Sequence, residues 1–209
     1  ENVSEVRSAK GFDRICLSTD ADVEFISDSV YFLELSGQAN VLAVITTEVR
    51  ERTLEIGTKG NLWDHNTVKV KVHSPLMRGM SISGSGDISS TTTFTTDVFD
   101  ASISGSGEIS LQGLSASAVT TKISGSGSVY YGSGSMQSAS HTISGSGDIL
   151  AFDNIANSAT CRISGSGNMD IHVSDNLEAT ISGSGNIRYK GKPAVSLNSS
   201  GSGRIIHID

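Results

Sequence analysis

The stretch Ile143-Ser144-Gly145-Ser146-Gly147-Asp148-Ile149 is one copy of a motif that recurs through the second half of the chain. Its first glycine stands at positions 84, 105, 125, 145, 165, 183 and 201, in steps of 21, 20, 20, 20, 18 and 18 residues. The complete set of motif glycines is Gly84, Gly86, Gly105, Gly107, Gly125, Gly127, Gly145, Gly147, Gly165, Gly167, Gly183, Gly185, Gly201 and Gly203. Self-similarity at a fixed period of about twenty residues is typical of solenoid proteins.

Apolar residues flank the Gly-Ser-Gly core of each regular copy. Isoleucine precedes the core at positions 82, 103, 123, 143, 163 and 181, and isoleucine, valine or methionine follows it. The alternation continues upstream, as in Ala159-x-Cys161-x-Ile163. Strict alternation indicates a half-buried β-strand, and a flexible Gly/Ser linker would have no reason to retain it through six copies. The motif therefore belongs to an ordered β structure.

Stacking of successive repeats is how such a chain can bury its apolar side. One repeat cannot enclose a core alone, so neighbouring repeats stack, with strands about 4.8 Å apart. Like residues then form columns, with isoleucine above isoleucine inside the stack. A parallel return within one sheet is right-handed in about 98% of cases. The sequence predicts an all-β protein, a right-handed parallel β-helix with coils of about 18–21 residues.

The two glycines of each copy are predicted to have a structural role at a sharp bend of the coil. Residues at such bends often need a positive φ or a close approach of two backbones, and glycine permits both. The serine between them can hydrogen-bond along the stack and requires little volume.

Residues 1–80 lack the glycine motif but contain short strand-like runs. The runs are residues 12–17, 23–26, 31–35, 41–49, 54–56 and 68–72, and they begin about ten residues apart. Two faces per coil would explain both this interval and the later period. We expect one β-helix domain over residues 1–209, with irregular coils and an N-terminal cap in residues 1–80 and regular coils in residues 81–209. A small separate β-sandwich packed on the helix is the alternative.

The charge balance disfavours nucleic acid as a partner. The formal net charge is −7 at pH 7, without a run of lysine or arginine, whereas phosphate neutralisation needs clustered basic side chains. No stretch of 18 apolar residues is present, so we expect no membrane-spanning helix. The sequence starts at Glu1 without a charged-then-apolar leader, which fits an exported protein whose signal peptide has been removed.

The residue after each Gly-Ser-Gly is predicted to form a surface column. The column contains Asp87, Glu108, Ser128, Asp148, Asn168, Asn186 and Arg204. Asp87 and Glu108, on adjacent coils about 5 Å apart, have the spacing of the carboxyl pair of a retaining glycosidase. However, Asp and Asn are ordinary turn residues, and catalytic groups usually interrupt a repeat. We therefore predict no catalytic residue, and interpret Asp87, Glu108 and Asp148 as a face for a ligand or for weak cation binding.

Residues 57–66 form the longest excursion between the predicted strands and contain the only tryptophan. They are dense in turn-forming residues, and loops carry function more often than strands do. Trp63, Asp64 and His65 are therefore a candidate ligand loop. A single tryptophan in a loop also packs down over the edge of a core, which is the alternative.

The remaining residues with chemical potential favour structural roles. The five histidines lack metal-ligand spacing, the calcium-binding nonapeptide is absent, and no phosphate-binding glycine loop is present. We therefore expect no metal and no cofactor. His141 shares a column with Thr121 and Cys161, so it is expected to point inward and to be neutral. Cys16 and Cys161 are interpreted as small strand or core residues, with one disulfide between them as the alternative.

The repeat Ser-Gly-Ser-Gly-[Asp/Asn/Glu]-Ile resembles that of the "putative auto-transporter adhesin, head GIN domain" family, a domain of unknown function common in Bacteroidetes. The front of the chain matches its pattern too, in Gly11-Phe12-x-x-Ile15, Asp22-Val23-x-Phe25, Leu54-x-Ile56 and Val68-x-Val70-x-Val72-x-x-Pro75. The resemblance spans about residues 8–207. It implies a right-handed β-helix exported to the periplasm or the cell surface, often as a lipoprotein, and it supplies no catalytic residues. The last copy departs from the pattern because Ser199 replaces isoleucine, which suggests a C-terminal cap.

Two functions of different classes remain. The first is a non-enzymatic surface or periplasmic module, an adhesin that binds a glycan or a surface protein. The second is a polysaccharide lyase or hydrolase that uses the acidic face of Asp87, Glu108 and Asp148. The first is favoured because no position combines an acid, a base and an aromatic platform for a sugar. Self-association through the ends or faces of the solenoid is a further expectation, because open strand edges must be capped or paired.

Overall fold

A computed structural model of the chain describes residues 2–60 and 66–209, which are almost entirely β-structure. The strands are β1 (Asn2–Val6), β2 (Arg14–Leu17), β3 (Asp22–Ser27), β4 (Phe32–Gln38), β5 (Ile45–Arg50), β6 (Thr53–Thr58), β7 (Lys69–Ser74), β8 (Gly79–Ile82), β9 (Asp87–Ile103), β10 (Glu108–Ile123), β11 (Ser128–Ile143), β12 (Ile149–Ile163), β13 (Met169–Ile181), β14 (Ile187–Lys190), β15 (Ala194–Ser199) and β16 (Ile205–His207). One short helix, α1, spans Ala39–Leu42. The strands form a parallel β-solenoid of about six turns, which confirms the predicted fold class.

Each regular coil lies on the previous one in register. Ile123 of β10 pairs with Ile103 of β9 and with Ile143 of β11. The ladder between β10 and β11 is interrupted at Gln112 and at Ser117, so it divides into three hydrogen-bonded runs. This coil therefore has three paired runs, whereas two faces per coil were predicted.

The interior of the solenoid is a stack of aliphatic columns. The isoleucines before the motif, at positions 82, 103, 123, 143, 163 and 181, are at most 2% exposed. The residues at positions 88, 109, 129, 149, 169 and 187, which follow the motif, are fully buried. Because a fully buried aliphatic side chain contributes about 1.5–3 kcal/mol, these two columns are a main source of the stability of the stack.

The glycine corners are positions where two backbones approach closely. A Cβ atom built on Gly145 would lie 2.0 Å from the carbonyl oxygen of Gly125 on the preceding coil. The same oxygen accepts a hydrogen bond from the backbone nitrogen of Ser146 at 3.0 Å, so the coils cannot separate to admit a side chain. None of the motif glycines, all of which are described, has a positive φ. Of the two reasons considered for glycine, close approach is therefore the one that applies.

The N-terminal coils do not stack in the order of the sequence. Strand β2 lies between β6 and β8, and β3 lies between β7 and β9, all in parallel. The first coil of the chain is therefore enclosed between the second coil and the start of the regular stack. These N-terminal coils have two strands each, and they belong to the same sheet and the same core as the regular coils.

Antiparallel strands and the helix cover the N-terminal end of the stack. Strand β4 pairs antiparallel with β7, β1 with β4, and β5 with β6. Val41 and Leu42 of α1 are buried in the core. The parallel ladder therefore ends in antiparallel strands at this end.

At the C-terminal end the stacking continues into a last, shorter coil. Strand β15 pairs with the last run of β13, and β16 pairs with β14. The backbone nitrogen of Ser202 donates to the carbonyl oxygen of Gly183 at 3.0 Å, as in the preceding corners. The degenerate last copy of the motif thus keeps the coil geometry.

A small polar network is enclosed in the core of the middle coils. His141 is 2% exposed, and its Nδ1 atom lies 2.9 Å from the Oγ1 atom of Thr121. The hydroxyl of the fully buried Tyr131 lies 2.7 Å from the same Oγ1 atom. Burial lowers the pKa of His141 to about 4, so the histidine is neutral at pH 7, as the column pattern predicted.

The two cysteines are free thiols. Cys161 is buried in the coil above His141, with which it is in register, whereas Cys16 on β2 is partly exposed. The interpretation of both as strand or core residues is therefore confirmed, and the alternative of a disulfide between them is wrong.

Candidate functional site

The residues that follow the glycine corners form a ladder of side-chain hydrogen bonds along one face of the solenoid. The Oδ1 atom of Asp87 accepts from the backbone nitrogen of Glu108 at 2.7 Å. The Oδ1 atom of Asp148 accepts from the backbone nitrogen of Asn168 at 2.7 Å and from its Nδ2 atom at 3.1 Å. Asn168 accepts in the same way from Asn186. These side chains join one coil to the next.

The ladder is interrupted in its middle, and this separates the predicted ligand-face residues into two places. The backbone N–H of Ser128 donates a hydrogen bond to the carbonyl oxygen of Gly107, at 3.3 Å, and not to the carboxylate of Glu108. Asp87 and Glu108 are therefore neighbours on adjacent coils, whereas Asp148 lies two coils beyond Glu108. The structure brings together the first two residues of this face and not the third.

Asp87 and Glu108 line a concave site, which we call the N-terminal groove. It has a cavity volume of about 570 Å³ and lies across the outer face of β4, β7, β3, β9 and β10. The charged residues that line it are Asp22, Glu24, Glu34, Lys69, Lys71, Asp87 and Glu108. With five carboxylates and two ammonium groups, the groove carries an excess of negative charge.

Three adjacent strands supply the centre of this groove. Asp22 at the start of β3 is in register with Lys69 of β7 on one side and with Asp87 of β9 on the other. Partial burial and the charge of Asp87 raise the pKa of Asp22 above its ordinary value, and the charge of Lys69 opposes this shift. The side chains of Ser36, Ser89 and Ser110 add hydroxyl groups to the lining.

Asp22 lines the groove, although the sequence pattern predicted no ligand-binding role for it. It lies in the irregular N-terminal part, where no glycine motif precedes it. The signal that could have revealed it is the pair Asp22-Val23, because it repeats the pattern of Asp87-Ile88 at the start of the first regular coil. The pairing of these two strands places the two aspartates side by side.

A second, smaller concavity, the C-terminal groove, contains Asp148. It measures about 310 Å³ and is lined by Asp148, Leu150, Asn168, Asp170, Asn186, Arg188 and Ile206. Arg188 forms an ion pair with the buried carboxylate of Asp170 and lies 5.7 Å from the ring centroid of Phe152. The charges of Arg188 and Asp170 therefore neutralise each other.

Neither groove has the geometry of a metal centre. Over residues 2–60 and 66–209, no group of three or more His, Cys, Asp or Glu side chains is placed to hold a metal ion. The Oδ1 atoms of Asp87 and Asp148 already accept backbone hydrogen bonds. The chemistry that both grooves offer is hydrogen bonding and charge–charge interaction.

The remaining predicted residues lie elsewhere or outside the described part of the chain. The candidate ligand loop of Trp63, Asp64 and His65 lies outside the described residues. The motif glycines occupy the corner that precedes the carboxylate column, and their backbones are in contact with the neighbouring coils. In the described part of the chain no helix is long and apolar enough to span a bilayer.

The chain is similar in sequence to one described family and in structure to several solved proteins. Residues 11–193 match the model of the family described as "Putative auto-transporter adhesin, head GIN domain", which confirms the resemblance seen in the repeat. A putative adhesin from Bacteroides fragilis of known structure is 26% identical, with a TM-score of 0.95, and the match covers 100% of this chain and 97% of that one. No curated protein matches the chain in sequence.

Two other solved structures are similar over the same shares, 100% of this chain and 97% of theirs. One is a putative adhesin from Parabacteroides merdae, at 24% identity and a TM-score of 0.79. The other is described as a putative lipid binding protein from Parabacteroides distasonis, at 26% identity and a TM-score of 0.79. The solenoid is thus common to proteins whose descriptions differ.

Proposed function

Because the chain belongs to the family described as "Putative auto-transporter adhesin, head GIN domain", we propose that it is a non-enzymatic adhesin. In this proposal it is exported to the cell surface or the periplasm and binds a glycan or a surface protein in its N-terminal groove. The observation that carries the proposal is the groove itself, a concavity across paired strands whose lining includes seven charged side chains.

The charge of the groove favours a ligand that carries amino groups. Its five carboxylates outnumber the ammonium groups of Lys69 and Lys71, so cationic groups of a ligand gain more favourable contacts than anionic ones. The hydroxyl groups of Ser36, Ser89 and Ser110 can exchange hydrogen bonds with a sugar or a peptide backbone. An amino-sugar glycan or a lysine-rich protein segment fits this lining.

Two features of the groove support binding over hydrolysis. The carboxylate of Asp87 holds the backbone nitrogen of Glu108 at 2.7 Å, which leaves it less available as an acid or a nucleophile. None of the residues that line the groove is aromatic, whereas glycan-cleaving sites usually present a ring on which a sugar stacks. The polysaccharide lyase or hydrolase remains the alternative, and it predicts the release of product.

The lipid-binding description of one relative is less well supported here. Both grooves contain some aliphatic surface, but an acyl chain bound there would remove water from the charged side chains that line them. The interior of the solenoid is filled with aliphatic side chains. We therefore favour a polar ligand for this chain.

A glycan array together with an array of basic peptides tests the proposal. The double variant Glu24→Gln/Glu34→Gln removes two groove charges. Neither residue belongs to the ladder of side-chain hydrogen bonds that follows the glycine corners. The control is Glu178→Gln, which removes an exposed carboxylate from β13 outside the groove. We expect binding of an amino-bearing ligand by the wild type and the control, and at least about tenfold weaker binding by the double variant. Equal binding by all three proteins, or release of cleaved glycan, would contradict the proposal.

A further inference from the structure

The inward-facing residues of the last coil are exposed, unlike their counterparts one coil earlier. Val195 is in register with Leu177, and Leu197 is in register with Ala179. Leu177 and Ala179 are at most 1% exposed, whereas Val195 and Leu197 are 42% and 48% exposed. The aliphatic columns of the solenoid therefore reach the surface at the C-terminal end.

The backbone of β15 has an open edge on the same side. Within the described residues β15 pairs with β13 only. The backbone nitrogen of Ser200 donates to the carbonyl oxygen of Ile181 at 2.9 Å, and backbone groups alternate in direction along a strand. The N–H and C=O groups of Val195, Leu197 and Ser199 therefore point away from β13, along the open edge.

Within its six residues β15 lacks the features that normally protect an exposed strand, although Lys192 and Pro193 directly precede it. Exposed edges are usually kept apart by charged side chains, proline or a bulge. Strand β15 has the sequence Ala-Val-Ser-Leu-Asn-Ser, which contains no charge and no proline, and its register with β13 is continuous. At the other end of the solenoid, β1 carries Glu5, and β5 carries Glu48 and Arg50.

We propose that the C-terminal end of the solenoid is a dimer interface, at which β15 pairs antiparallel with β15 of a second copy. Only another strand edge supplies donors and acceptors at the spacing of the open groups, which disfavours a glycan or a membrane as the occupant. An uncharged edge meets an identical edge without like-charge repulsion, and a two-fold axis makes the contact self-complementary. Pairing centred on Leu197 places Leu197 beside Leu197 of the second copy, and Val195 beside Ser199 of the second copy.

Sedimentation velocity of the 209-residue chain over a wide concentration range tests this proposal. Leu197→Lys puts a charge at the centre of the interface. Ser199→Pro removes an outward N–H and leaves the donor of Ser200 to Ile181 in place, as proline allows on an edge strand. The control is Val3→Lys, which charges an exposed valine on the N-terminal edge strand β1.

We expect the wild type and Val3→Lys to dimerise, and both β15 variants to raise the dimer dissociation constant at least about tenfold. Circular dichroism and thermal unfolding identify any variant that has lost the fold. If one β15 variant is unfolded, the dimer dissociation constant of the other tests the proposal. A wild type that is monomeric throughout, or a dimer that persists in folded β15 variants, would overturn the proposal. Neither result bears on ligand binding by the N-terminal groove, which lies towards the opposite end of the molecule.

Discussion

The carboxylate of Asp148 joins its coil to the next through two hydrogen bonds to Asn168. The Oδ1 atom of Asp148 lies 2.7 Å from the backbone nitrogen of Asn168 and 3.1 Å from its Nδ2 atom. Asn168 contacts Asn186 in the same manner, and Asn186 accepts from the backbone nitrogen of Arg204 at 3.0 Å. An acceptor oxygen, and not specifically a negative charge, is therefore what this column requires.

The first prediction concerns this column. Asp148→Ala should lower the free energy of unfolding by about 1–2 kcal/mol, because the backbone donor of Asn168 loses its partner. Asp148→Asn should cost less, because an amide oxygen performs the same task at Asn168. Urea denaturation measures both effects. Ser128→Ala is the matched control, and we expect a change within about 0.5 kcal/mol; a loss there equal to that of Asp148→Ala would contradict the role of the side-chain oxygen.

The second prediction concerns the glycine corner. Gly145→Ala should destabilise the protein by about 3 kcal/mol or more, because its Cβ atom would lie 2.0 Å from the backbone oxygen of Gly125 and the coil cannot yield without losing hydrogen bonds. Ser146→Ala, at the exposed position between the glycines, should be nearly neutral. Thermal unfolding compares the two variants. A Gly145→Ala protein as stable as the wild type would show that the corner tolerates a wider spacing between coils.

The regular half of the fold was predictable because each coil repeats the same spacing of isoleucine and glycine residues. The position of Ile143 relative to Gly145 recurs in neighbouring copies, so one stacking register satisfies all of them at once. The inward position of His141 followed from the same register. The three paired runs of β10 and β11 were missed because no repeated glycine marks the interruptions at Gln112 and Ser117.

Only some residues of the N-terminal groove could be predicted from the sequence. Asp87 and Glu108 belong to the repeat, whereas Asp22 reaches them through a coil that is inserted out of sequence order between two others. That order depends on long-range pairing, such as that of Ile15 with both Leu54 and Met80, which no local pattern encodes. Trp63, proposed for a ligand loop, lies outside the described residues.

The third prediction concerns thiol reactivity. Burial raises the pKa of the Cys161 thiol to about 12, and the thiolate is the reactive form. Alkylation of Cys161 in the native protein at pH 8 should therefore proceed only as fast as the protein opens or unfolds. Mass spectrometry of peptides after timed labelling measures this rate, and labelling in urea provides the upper limit. Rapid native labelling of Cys161 would show that the core opens at this coil.

The fourth prediction concerns the pH dependence of stability. Burial lowers the pKa of His141 from 6.5 to about 4 in the folded protein, so between these values the unfolded chain binds a proton that the folded chain does not. The stabilisation is complete above pH 6.5, falls as the pH decreases, and is lost by about pH 4, a total of about 3 kcal/mol. His141→Gln keeps a polar group near Thr121 but cannot titrate, so its free energy of unfolding should fall less steeply over this window. Denaturant titrations at several pH values measure the difference, and a comparison at pH 8, where His141 is neutral in both states, isolates the effect of packing. Parallel pH profiles for the two proteins would mean that His141 reaches solvent and titrates normally in the folded state.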